Sequence, residues 1–235
     1  MAIVMGALGY AISNMGGPST QVAAAQVASG LSLARQYAVA KNLETRFVIC
    51  NLEGSSGDGL PSESWRYWTV IQTNRGSNNW TMMKEWEKMP AGVVFLNLAV
   101  GDYSVIAGDP IGAIPGQPFK PVFNASSLGS GKEWTGFGSF TNQIPVVVAG
   151  STKKFTLGSV PAIGFRGTGS AVRGDGAALG TADMPSYATT MAVRVALGAV
   201  TPDNSITLKA TNNYYYIETD VRGRVRVRSP ESFRQ

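Results

Sequence analysis

The chain has 235 residues and a net charge of +5, with 15% charged residues beside 44% hydrophobic ones. Ordered globular proteins carry about a quarter charged residues, so this charge-poor composition excludes a disordered polyelectrolyte and suits β-rich extracellular domains and filament subunits. Histidine is absent and cysteine occurs once, which excludes Ser-His-Asp and Cys-His nucleophiles, His-containing zinc sites and an internal disulfide.

The first stretch, "MAIVMGALGYAIS", is apolar but shorter than the roughly 20 residues that span a bilayer. It lacks the basic region and cleavage context of a secretory signal, and is expected to be the tail of a longer apolar helix. Gly16-Gly17-Pro18 should kink or melt that helix. With Ser19 or Thr20 as cap, a helical pattern then runs to Asn42. Val27, Leu31, Ala34 and Ala38 recur every three or four residues as one apolar stripe. Ala24, Ala25, Ala28 and Gly30 keep its flanks small enough for other helices to approach. Covering the chain's own sheet accounts for the stripe equally well.

After Asn42 the period changes to two. "TRFVICN", "RYWTVIQTN", "GVVFLNLAV", "IPVVVAG", "KKFTLGS", "AIGFRG", "TMAVRVALG", "SITLKA" and "YYYIETD" read as strands, with Gly- and Pro-rich loops over 100–190. Cys50, inside the first of these strands, is expected to be a buried, inert thiol.

The chemical motifs are few. "GSGK" at 129–132 is similar to the end of a phosphate-binding loop, but Ser126 stands where the first Gly is required and Glu133 follows Lys132. Asp58 and Glu63 could approach a hard cation, without the spacing of a calcium loop. Asn79-Trp80-Thr81 and Asn124-Ala125-Ser126 fit the glycosylation triplet. Trp80, Trp86 and Trp134 could form a sugar-binding platform, although packing in the core and on sheet faces is the better reading. No pair of carboxylates is spaced as a general acid and base. The expectation is a protein without enzymatic activity, cofactor or metal.

Four local patterns carry a resemblance. They are "LSLARQYAVAKN" (31–42), with an Ala-Arg pair and a terminal Asn before the first strand, "MPAGVVF" (89–95), "IGFRGTG" (163–169) and "GRVRV" (223–227). In this order, after a charge-poor helix, the chain resembles the type IV pilin-like superfamily. Within it, the chain most resembles the H-type minor pseudopilins of type II secretion and the related FimT-type minor pilins. The family's processing motif, Gly followed by Phe-Thr-Leu-x-Glu, does not occur, as expected if the sequence begins inside the helix or if the protein enters its assembly differently.

The resemblance implies an α+β fold, a long N-terminal α-helix (1–43) packed on a large antiparallel β-rich head domain (44–235). It implies a structural subunit of a type IV pilus-like or type II secretion pseudopilus-like filament, with other pilin-like subunits as partners. Such a subunit sits in the bacterial inner membrane and periplasm before assembly and at the cell surface or outside the cell afterwards. The helix residues expected between subunits are Val4, Leu8, Ile12, Val22, Val27 and Leu31. A glycan-binding surface domain is an alternative.

"YYYIETDVRGRVRVR" reads as a hairpin whose loop is Val221-Arg222-Gly223, with a bulge at Gly223. That register sets Asp220 opposite Arg224, Glu218 opposite Arg226 and Tyr216 opposite Arg228, and gathers Tyr215, Ile217, Val225 and Val227 on the other face. Arg224 and Arg226 are expected to pair with Asp220 and Glu218, leaving Arg222, Arg228 and Arg234 free. In FimT-type pilins a Gly-Arg-x-Arg closing strand is associated with DNA, so the resemblance offers Arg222, Arg224, Arg226 and Arg228 as a second alternative, a nucleic-acid site. A salt-bridged sheet face is the default.

Overall fold

The computed structural model describes residues 16–74, 79–95, 138–139, 144–158, 160–174, 176, 190–202, 206–209 and 213–229. One helix, α1 (Gly16–Lys41), is followed by β1 (Thr45–Ile49), β2 (Ser56–Gly57), β3 (Tyr67–Thr73), β4 (Trp80–Met82), β5 (Glu87–Lys88) and β6 (Val93–Phe95). Then come β7 (Gly138–Ser139), β8 (Ile144–Val148), β9 (Lys154–Leu157), β10 (Pro161–Phe165) and β11 (Ala171–Arg173). The last four are β12 (Thr190–Val200), β13 (Ile206–Leu208), β14 (Tyr214–Asp220) and β15 (Val225–Arg228).

The longer strands coincide with the segments read as strands, and β1 and β10 are buried at every position because the larger sheet has a core on each face. The short β2, β4, β5, β7 and β11 carry too few residues to show alternation. Ten strands form a sheet in the order β11-β10-β1-β3-β4-β8-β9-β2, with β5 on β3 and β7 on β10. Five form a second, β13-β12-β14-β15, with β6 on β12.

This corrects the expected fold class. Among the described residues a single helix of 26 residues is a minor part of a body dominated by two sheets, and not a long helix laid on an antiparallel domain. The larger sheet is mixed, since β4 and β8 pair in parallel. The reason is connectivity: β8 follows the long segment after β6 and need not return as a hairpin partner.

α1 is built into the body. Ala23, Ala24, Val27, Leu31, Ala34 and Ala38 share one core with Phe47, Trp68 and Val70 of the larger sheet and with Val193, Val195 and Ile217 of the smaller. At Gly30 the helix runs so close to the sheet that a Cβ would lie 2.5 Å from Trp68 Cη2, above the stacked rings of Phe47 and Trp68, 5.0 Å apart. The glycine therefore serves sheet contact, where the sequence suggested contact with other helices. Pro18 stands in the first turn of α1, where its missing N–H costs no helical bond. Thr20 is not the cap. It is buried, and its hydroxyl meets Asn213 Oδ1 at 2.6 Å. At the other end Asn42 closes the helix as expected. It takes a φ of 49°, its N–H donates to Val39 O, and Leu43 N–H donates to Ala38 O, which is a Schellman ending with Asn in the left-handed position.

The opposite face of the larger sheet has its own core, formed by Val48, Ile71, Trp80, Met82, Val146, Phe155 and Leu157.

Candidate functional site

The hairpin forms in the register read from the sequence. Tyr216 lies opposite Arg228, Glu218 opposite Arg226 and Thr219 opposite Val225. Gly223 has a φ of 73°, its N–H donates to Asp220 O, and Asp220 N–H donates to Arg224 O. Asp220 Oδ1 accepts the backbone N–H groups of Arg222 and Arg224, each at 2.9 Å, so this carboxylate is largely engaged by the turn.

Of the two expected ion pairs, Asp220–Arg224 forms and Glu218–Arg226 is corrected. Glu218 Oε1 meets Arg228 Nε at 2.8 Å, on the diagonal, and not Arg226 directly opposite. Glu218 is 5% exposed, and a long side chain two residues along the neighbouring strand can reach such a buried oxygen, while the Arg226 head keeps its hydration. Arg228 is therefore not free. Arg224 reaches Asp220 Oδ2 only at 3.6 Å and stays mostly exposed. Among the described residues Arg222 and Arg226 form no ion pair. Burial raises the pKa of the Glu218 carboxyl, opposed first by the charge and hydrogen bond of Arg228 and then by the charge of Arg226.

Behind Glu218 lies a feature the sequence reading missed. Arg194 on β12 is 1% exposed, with its guanidinium carbon 4.1 Å from the centroid of Tyr214 and 5.3 Å from that of Tyr216. The two tyrosines meet edge-on. A second buried arginine, Arg46 on β1, donates to Gly174 O from Nε at 2.9 Å, pairs with Glu44 Oε1 at 2.8 Å and lies over Trp80. In both cases the signal is an arginine inside an apolar strand segment, "TRFVI" and "MAVRVAL", which requires buried partners.

Three of the four patterns behind the resemblance meet at one junction. Arg35 Nε donates to Gly169 O at 3.0 Å, and a Cβ on Gly223 would collide with that same carbonyl and with the Arg35 side chain. Ala171 N–H donates to Val221 O at 3.0 Å. The helix, the β10–β11 turn and the hairpin tip are thus held together.

The face of α1 turned away from the core carries Val22, Ala25, Ser29, Ser32, Gln36 and Val39, spaced alternately by three and four residues. At 100° per residue this seam lies opposite the stripe of Val27, Leu31 and Ala38. Val22 is 53% and Val39 51% exposed. The Ser32 hydroxyl donates to Ala28 O, so it asks nothing of a neighbour. No residue of the seam is charged, although outward helix faces of globular proteins are normally charged and polar. Of the expected inter-subunit residues, Val22 is exposed on this seam. Val27 and Leu31 are fully buried in the chain's own core and are withdrawn from that role. Val4, Leu8 and Ile12 lie outside the described residues.

The remaining candidates resolve simply. Trp80 is core and Trp86 packs on Phe155. Glu63 pairs with Arg66 at 3.0 Å, and Asp58 is exposed. Cys50 is buried, which pushes its thiol up to about 12. Trp134, Arg234 and the segments 124–126 and 129–132 lie outside the described residues. Among the described residues no helix is long and apolar enough to cross a membrane. Comparison with family models, curated proteins and solved structures finds no match in any of the three.

Proposed function

We propose that the chain is a structural, non-enzymatic subunit of a pilus-like or pseudopilus-like filament, in which the outer seam of α1 packs against the same helix of other copies. The observation that supports this is the uncharged seam from Val22 to Val39 on an exposed helix whose opposite face is already spent on the chain's own core. Small side chains let helix axes approach closely, and no charge has to be desolvated when they do. Each Ala or Ser buries little apolar surface at about 25 cal/mol per Å². A single pairwise contact is therefore weak, and repetition along a polymer supplies the stability. The sheets, with the Arg-rich hairpin, form the outer surface of such an assembly.

Electron microscopy of the concentrated chain tests this reading. Helical polymers are expected, and Ala25→Glu with Ser29→Glu should abolish them while circular dichroism stays unchanged. Polymers that survive the double substitution would refute the assembly mode.

A further inference from the structure

We infer that the free edge of β15 is an acceptor for an acidic, extended peptide segment of a partner protein, which adds to the smaller sheet as a further strand. β15 is terminal in that sheet, and none of the described strands pairs with its outer side. The Arg224 carbonyl accepts from Asp220 N–H, so Arg224, Arg226 and Arg228 turn their backbone groups toward β14. In an antiparallel ladder the alternate residues do the opposite. The N–H and C=O groups of Val225 and Val227 therefore point outward from the edge, in spacing for an incoming strand.

The side chains state what that strand must be. Arg224 and Arg226 project on one face of β15, both exposed, and neither Glu218 nor Asp220 neutralises them fully: Glu218 is bound to Arg228 and Asp220 to the turn. Val225 and Val227 lie on the other face, and Val227 is 44% exposed. An occupant alternating carboxylates with apolar residues satisfies both faces at once. A second copy of β15 does not, because antiparallel self-pairing would set arginine beside arginine. The edge thus rejects its own copies while remaining open to an acidic strand. Duplex DNA satisfies the charge but offers no strand to pair with the Val225 and Val227 amides.

Hydrogen exchange on the full chain, with a short blocked peptide alternating Val and Glu, tests this. The expected result is slowed exchange of the Val225 and Val227 amides, absent with a Val-Lys peptide and lost in Arg226→Glu. Val227→Pro removes one outward donor at an edge position that tolerates proline and should also lose the effect, with protection across β12 and β14 retained to show that the fold persists. Unchanged exchange at Val225 and Val227 would overturn the inference. So would equal protection by the basic peptide, or by duplex DNA.

Discussion

Arg35 of the helix donates its Nε–H to the carbonyl of Gly169, 3.0 Å away across 134 positions of sequence. Gly223, with a φ of 73°, sits against both. The junction fixes the hairpin over the helix end, so it determines where the exposed arginines stand relative to α1.

Gly223→Ala should be costly, because a left-handed non-glycine residue costs about 1–3 kcal/mol and the added Cβ meets the Gly169 carbonyl. Arg35→Ala removes a charge-assisted bond at a half-buried site and should cost about 1.5–3 kcal/mol. The double variant should lose less than the sum, since removing the Arg35 side chain relieves part of the crowding at residue 223. Urea unfolding of the four proteins measures this coupling.

Gly30→Ala places two effects in opposition. Alanine improves an interior helix position by about 1 kcal/mol, whereas overpacking a filled core costs about 1–3 kcal/mol. The added Cβ would stand 2.5 Å from the Trp68 ring, so overpacking should win. A lower midpoint of unfolding and an altered tryptophan emission spectrum are expected.

Glu218 should oppose stability as its carboxyl ionises. Its pKa in the folded state is raised by burial, so between the ordinary carboxylate value of about 4.3 and that raised value the folded state binds more protons than the unfolded one. Stability from this group is therefore fully present below the ordinary value and declines as pH rises through the raised one. Glu218→Gln should remove that decline. The difference in unfolding free energy between wild type and variant, followed against pH, should shift in favour of the variant as pH rises through the window.

Cys50 should be silent in the folded protein. With its thiol pushed up to about 12 and its side chain buried, a thiol reagent at neutral pH should leave it unmodified until denaturant is added. Mass spectrometry before and after unfolding reads this directly.

The hairpin register and the Asn42 helix ending were legible in the sequence because their causes are local: alternation, a turn residue, a left-handed Asn. The partner of Glu218 was not. Which arginine reaches Glu218 depends on how deeply Glu218 is buried, and that follows from its place on β14, paired on both sides by β12 and β15. Arg194 was missed because the tyrosines it lies over belong to another strand, and Arg46 because, besides its near neighbour Glu44, it is held by the Gly174 carbonyl and Trp80 from distant parts of the chain. On the helix, the three-and-four spacing of Val27 and Leu31 marked a buried stripe without saying what buries it. The opposite seam, from Val22 to Val39, became distinct only once the first stripe was seen to be used by both sheets.

In the proposed assembly, copies of the chain meet through the outer face of α1. Because Cys50 is buried, Ser29→Cys can be labelled alone with pyrene, and Lys209→Cys, exposed beside β13, provides a matched probe on the sheet surface. Pyrene excimer emission that grows with concentration at residue 29 and not at residue 209 is the predicted result. Absence of excimer at residue 29, whether or not residue 209 shows it, would rule out packing through this face.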